Sequence, residues 1–313
     1  MDKTTRWKDN ELKDVDKAIN QICDITKFEQ ENFNTWKECI FEKVFEENKS
    51  ITLNGNHIEY NYIEGSYLEI KRNSDPMRMK LKIVVYSNSD SVFYIINRNS
   101  DALLILRKLL GYSGKNEIES KMPEVTDDFL FWLLNKIYGS NEAIETSSSD
   151  LKTLYLESIK RFSGDSQDLQ TKVTARGESV MNLVSSLAFF LESQRLRNIK
   201  MELSYGINYN INLSFINRTN TNSQGTSSIG IDLNEYIGEL SSIDENDFIP
   251  QLYLIIYLEI VPILFGTYEM EIESDEWNNK AYRNFFKEIG NEINHRIANL
   301  LGEFDDKIEN KAD

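Results

Sequence analysis

The stretch DFIPQLYLIIYLEIVPILFG, residues 247–266, is the most apolar in the chain and does most to narrow the folds open to it. A helix that is apolar on all sides has to be buried in a core or in a membrane. Here Glu259, Pro250 and Pro262 interrupt the run, whereas a spanning helix needs about 20 predominantly apolar residues. The expectation is therefore a core helix opening near Asp247, carrying residues 248–260 and ended or kinked by Pro262. Proline removes a backbone donor and crowds the preceding turn. The residues that follow, TYEMEIE, alternate apolar and acidic. Period two predicts a strand with Tyr268, Met270 and Ile272 inward and Glu269, Glu271 and Glu273 facing water.

With 313 residues, 40% of them hydrophobic, the chain can bury a core of one large domain or two ordinary ones. Its only cysteines, Cys23 and Cys39, exclude a disulfide framework and fit a reducing compartment, each as a small buried hydrophobe. The opening residues MDKTTRWKDNELKD lack the apolar core of a secretory signal. A cytoplasmic protein without a membrane partner is expected. The net charge of −16 is uneven: residues 201–313 hold 20 acidic and 7 basic side chains, a net of −13, and the first 200 residues hold 31 and 28. An acidic surface of this kind repels nucleic acid and favours a protein partner with a cationic surface.

Periodicity predicts amphipathic helices over 11–27, on Val15, Ile19 and Ile22, and over 31–47, on Phe33, Trp36, Ile40 and Val44. Asn54-Gly55 between β-rich flanks is a hairpin signal that pairs Ile51 with Ile58. Glu64-Gly65 is read as a turn, and strands follow at 79–86 and 91–97. The short connections make this an antiparallel meander of about five strands. Helices are expected at 101–110, at 126–138 with Thr126 as N-cap, at about 150–161 and at 178–196. The polar run ETSSSD at 145–150 serves as a linker between a lobe of residues 1–146 and an acidic lobe of residues 147–313.

The clearest alternation in the chain places Met201, Leu203, Tyr205, Ile207, Tyr209, Ile211, Leu213 and Phe215 at every second position. A hairpin on Gly206-Ile207 would set Leu203 beside Asn210 and mix the two faces. One strand, bent at Gly206, keeps them apart and would run roughly 50 Å. A strand that long projects from its sheet or is shared with a second copy. Tyr205, Ile207, Tyr209, Ile211, Leu213 and Phe215 are the candidate self-assembly face of a homo-oligomer. A short strand at 229–233 and a terminal helix at 276–309 complete the reading, the helix striped by Phe285, Ile289, Ile293, Ile297, Leu300 or Leu301, Phe304 and Ile308. The fold class is α+β: antiparallel β-sheets flanked by amphipathic helices, in two lobes.

Chemical motifs are sparse. His57 and His295 lack the i, i+4 partner of a helical zinc site, and neither GxxxxGK[ST] nor GxGxxG occurs. No metal and no cofactor are expected. Glu69-Ile70-Lys71 resembles the Glu-x-Lys element of metal-dependent nucleases of the PD-(D/E)xK type, with Glu59 or Glu64 as the second acid. That resemblance implies a nuclease as the alternative function, and no Pro-Asp dipeptide accompanies it. Lys71, Arg72, Arg78, Lys80 and Lys82 form a small basic cluster, too small against the overall charge for more than weak nucleic-acid binding. On a strand, Glu269, Glu271 and Glu273 would lie about 6.8 Å apart, near two phosphate steps of DNA, and Asp275 and Glu276 continue the row.

The leading expectation is a non-enzymatic, self-assembling factor that binds a cationic protein through this acidic row. An inhibitor or accessory protein of a nucleic-acid-processing enzyme would fit, such as a phage anti-defence protein that blocks a bacterial defence nuclease.

Overall fold

A computed structural model describes residues 1–28, 35–70, 75–88, 91–114, 116–139, 143–144, 152–165, 172–176, 188, 195–217, 227–242 and 244–309. The fold is α+β, and its strands form antiparallel pairs in one continuous sheet. In chain order the elements are β1 (Asp2–Asp9), α1 (Val15–Cys23), β2 (Trp36–Lys43), β3 (Lys49–Leu53), β4 (Asn56–Glu69), β5 (Met77–Asn88), β6 (Ser91–Ile96), α2 (Ala102–Leu110), β7 (Ile118–Ser120) and α3 (Asp127–Gly139). Then come β8 (Ala143–Ile144), β9 (Leu154–Asp165), β10 (Lys172–Arg176), β11 (Arg195–Tyr205), β12 (Asn208–Ile216) and β13 (Ser228–Asp232). The chain ends in α4 (Glu245–Ile255), a π-helical turn (Ile256–Ile260), α5 (Val261–Glu273) and α6 (Asn279–Glu309).

The sheet runs β10-β9-β11-β12-β13-β1-β6-β5-β4-β2. Its centre is β1, a segment that its charges hide in the sequence. Asp2, Lys3 and Thr4 pair with Ile231, Gly230 and Ile229 of β13, while Thr5 to Lys8 pair with Ile96 to Phe93 of β6. The expected division at 145–150 falls outside the described residues, and the strands from either side of it share this sheet. One core cluster likewise joins Tyr60, Tyr62 and Tyr86 to Leu203, Leu213 and Ile256. A second cluster lies on the opposite face of β4–β6, where Ile83, Val85 and Ile96 meet Ile19 and Ile22 of α1 and Leu106 and Leu109 of α2. Both faces of β5 and β6 are therefore covered, which explains runs as apolar as IVVY and VFYII.

Several expectations hold. Asn54 and Gly55, at φ +49° and +73°, turn a hairpin that pairs Ile51 with Ile58. Thr126 Oγ1 accepts the Phe129 amide at 3.1 Å and caps α3.

Others are corrected, three of them for one reason. The predicted helix at 31–47 is strand β2 from Trp36, with a bulge at Glu38, whose φ is +48°, between the pairs Lys37–Leu68 and Ile40–Ser66. Phe33 lies outside the described residues. The predicted helix at 150–161 is strand β9, whose pairing with β11 skips Lys160 and Glu157, so that Leu154, Leu156, Ile159 and Phe162 are all buried. The predicted single strand at 201–215 is the hairpin β11–β12. Tyr205 pairs with Asn208, the register then shifts, and Leu203 meets Ile211 and Met201 meets Leu213. Asn210, at φ +56°, sits in that irregularity. A bulge inserts one residue and moves the pattern by one step, which keeps the two faces separate without a 50 Å strand. The predicted helix at 178–196 falls outside the described residues except at Ala188, and Arg195 and Leu196 already belong to β11.

Glu64-Gly65 is no turn. β4 runs straight through it, and Gly65 faces Phe41 so closely that a Cβ there would overlap the ring.

Candidate interaction surface

The helical layer starts from the apolar run. α4, the π-helical turn and α5 form one continuous helix of 29 residues, long and apolar enough by composition to cross a membrane, and 67% of its most apolar window is buried inside the protein. The predicted break at Pro262 does not occur. Proline at that position denies the Leu258 carbonyl its usual i+4 donor. The wider turn absorbs the ring, and Asn54 Nδ2 donates to the Leu258 oxygen at 3.2 Å. Glu259, the one acid inside the run beyond its opening Asp247, is 1% exposed and accepts from the Asn54 backbone amide at 3.2 Å and from Lys152 Nζ at 3.2 Å. Its isolation among apolar residues was the signal that it must have a partner.

Past Pro262 the predicted acidic strand is the last part of α5, which corrects the ladder. At 100° per residue, Glu269 and Glu273 share the outer face, one turn and about 6 Å apart. Glu271 points the other way, into the protein. It is 7% exposed, its carboxylate accepting Trp132 Nε1 at 2.9 Å and pairing with Lys136 Nζ at 2.6 Å. The helical period places Leu264, Tyr268 and Glu271 on one side, where they meet α3. Tyr268 donates to Asp128 Oδ2 at 2.6 Å, and Trp277 Nε1 donates to the same oxygen at 2.9 Å. Burial, with the bond to Asp128 second, pushes the Tyr268 hydroxyl up to about 12. Phe129 stacks on Phe265 at 4.0 Å.

The corner between α5 and α6 is closed by backbone bonds. The amides of Glu276 and Trp277 both donate to the Glu271 carbonyl at 2.9 Å, and Asn278 Oδ1 accepts from Lys280 and Ala281 at the start of α6. Outside this fixed corner stand the exposed residues Glu269, Met270, Ile272, Glu273, Asp275 and Glu276. Four of the five candidate partner-binding acids are thus exposed there, interleaved with Met270 at 59% and Ile272 at 44% exposure.

α6 continues the surface. Phe285 and Ile289 are 1% and 0% exposed, Ile293 is half-buried, and on the same stripe Ile297 and Leu301 are 44% and 60% exposed. An apolar stripe that is core at one end therefore meets solvent at the other. Arg296 Nε donates to Glu292 Oε1 at 2.6 Å beside it.

The other candidate residues do not converge on a site. Tyr205, Ile211, Leu213 and Phe215 are core residues at 0–1% exposure, which removes them from any self-assembly face. Ile207 and Tyr209, at 56% and 49%, lie at the tip of the β11–β12 hairpin. Glu59, Glu64 and Glu69 all belong to strand β4. Five residues of strand carry Glu64 about 17 Å from Glu69, on the opposite face, so neither it nor Glu59 is the neighbouring-strand acid a PD-(D/E)xK site needs. Lys71 and Arg72 lie outside the described residues. Arg78 pairs with Glu38, and Lys82 stands opposite Glu64. Among the described residues, no group of three His, Cys, Asp or Glu side chains is placed to hold a metal ion.

Comparison of the chain with protein-family models, with curated proteins and with solved structures finds no match.

Proposed function

We propose that this protein is a non-enzymatic interaction factor that associates with itself and with another protein through its carboxyl-terminal helical arm. The observation that supports this reading is the stripe of α6, buried at Ile289 and open at Ile297 and Leu301. Two copies pairing these stripes present the same patch to each other, as a two-fold contact requires. Each half-exposed side chain contributes roughly 1 kcal/mol on burial. Four of them then supply about 4 kcal/mol, no more than the least cost of association, so stable pairing draws on further contacts along the arm and is weak and concentration-dependent.

The acidic corner suits a partner with a cationic surface, and Met270 and Ile272 add apolar contact between its charges. Nucleic-acid-processing enzymes present cationic grooves, so an inhibitor or accessory protein of such an enzyme, including an anti-defence protein, is the finer version of the proposal. The exposed acids Glu269, Glu273, Asp275 and Glu276 would make the contact.

Sedimentation of the wild-type chain from about 5 to 500 μM, beside Ile297→Asp/Leu301→Asp, tests the first part. A rising sedimentation coefficient lost in the variant is expected; a wild-type monomer throughout would remove the self-association. For the second part, a variant with Glu269→Gln, Glu273→Gln, Asp275→Asn and Glu276→Gln should lose a partner that the wild type captures from its native host. Capture of the same partner by both proteins would sink the acidic-corner reading.

A further inference from the structure

We infer that a cavity beside Arg6 binds a small amphiphilic anion: a compact apolar body carrying one carboxylate or phosphate head. The cavity has a volume of about 310 Å³, within the range of small-ligand sites. It lies where β1 passes under the π-helical turn and the start of α5. Val261, Pro262 and Phe265 form much of its apolar wall, and Arg6, Lys121 and Tyr257 bring polar groups to it. In a chain of net charge −16, this lining holds two cations and no acid.

Arg6 is held ready. Its Nε donates to the Tyr86 hydroxyl at 2.6 Å, and its guanidinium carbon sits 5.1 Å from the Phe93 ring centroid and 5.9 Å from that of Tyr86. Among the described residues no carboxylate lies within ion-pairing distance of it, and no side chain accepts from its terminal nitrogens. A guanidinium fixed by stacking keeps its outer nitrogens as a planar fork, the geometry that grips carboxylate or phosphate bidentately with little loss of freedom. Tyr257 is fixed too, its hydroxyl donating at 2.8 Å to Thr4 Oγ1, whose own proton goes to the Ile229 carbonyl. Lys121 stands at the rim in an exposed pair with Glu119 at 2.6 Å, an interaction weak enough to yield to a ligand. π-helical turns recur at functional sites, and this one supplies Tyr257 and leads into Val261 and Pro262.

The test uses benzoate and phenyl phosphate as probes and benzamide as the neutral isostere of benzoate, each titrated into the full-length chain by calorimetry or ligand-observed NMR. At least one anion should bind tenfold or more tightly than benzamide, and weaken tenfold or more in Arg6→Gln. Lys121→Gln should lower the affinity two- to fivefold. Equal binding of benzoate and benzamide would overturn the charge recognition, and no binding of either anion would overturn the site. The wild-type comparison decides the matter even if Arg6→Gln fails to fold. Unchanged binding in a folded Arg6→Gln protein would place the anion elsewhere and also overturn the proposal.

Discussion

Glu271 carries a burden that its two neighbours of like sequence do not. Removing one partner of a buried ion pair strands the other, at a cost of about 3–5 kcal/mol. Glu271→Ala leaves Lys136 and the indole of Trp132 without an acceptor and should destabilise the fold by that order. Glu269→Gln and Glu273→Gln, fully on the outside, should stay within about 0.5 kcal/mol. Urea unfolding of the three variants checks this, and equal effects would contradict the helical placement. Tyrosines set a pH limit at the same scale. Burial pushes the hydroxyls of Tyr60, Tyr86 and Tyr268 up to about 12, and raises Tyr62, Tyr67, Tyr94, Tyr253 and Tyr257 as well. Between pH 10 and 12 the folded chain thus holds protons that the unfolded chain has released. This stabilisation is complete below pH 10 and is lost as pH rises through the folded values. Unfolding free energy measured from pH 9 to 11 should fall steeply above 10, and the tyrosinate absorbance owed to these buried residues should appear with unfolding rather than before it. Lys27 opposes this from pH 8, where burial lowers its ammonium to about 8, but it is one group against several.

At the scale of elements, two local arrangements explain how unfavourable sequence is tolerated. The π-helical turn and the Asn54 amide let a helix run through Pro262. Glycine satisfies the positive φ of a hairpin turn as well as asparagine does, so Asn54→Gly ought to be harmless if the turn were its only duty. The loss of the bond to Leu258 predicts a cost of about 1 kcal/mol instead, measurable by chemical unfolding, and a neutral result would remove that role. In the β11–β12 hairpin the irregularity at Asn210 keeps both faces sorted. Asn210→Gly should be neutral or stabilising there, while Asn210→Val should lose about 1–2 kcal/mol, because a β-branched residue resists the left-handed region. Reversed signs would show that the bulge is not held by this residue.

For the whole molecule, the decisive element is β1. It is the strand through which pairing passes from β13 to β6, and Thr4 fixes it with Oγ1 donating to the Ile229 carbonyl at 2.9 Å. A sheet continuous across the centre and a core cluster drawing on both sides predict one cooperative unfolding transition. Tryptophan fluorescence, which samples Trp7 and Trp36 in one core cluster and Trp132 and Trp277 in the other, should coincide with far-ultraviolet circular dichroism. Two separated transitions would restore a pair of independent lobes.

The α+β class, the Asn54-Gly55 hairpin, the Thr126 cap, the burial of the apolar run and the long terminal helix were legible because each rests on local chemistry or an uninterrupted period. The exposure of the acidic corner was legible in part, since composition marked the acids but not which of them faces inward. The rest required partners distant in sequence. Bulges in β2, β9 and the β11–β12 hairpin shift a two-residue alternation by one step, so bulged strands take on helical spacing and a hairpin looks like one long strand. Alternation over 267–273 became helix because a strand needs a neighbouring strand to satisfy its backbone, whereas α5 already continued a helix and α3 offered Lys136 and Trp132 to the one glutamate turned inward. β1 carries no strong period of its own. Only β13 and β6, brought to its two edges by the folded chain, make it the centre of the sheet.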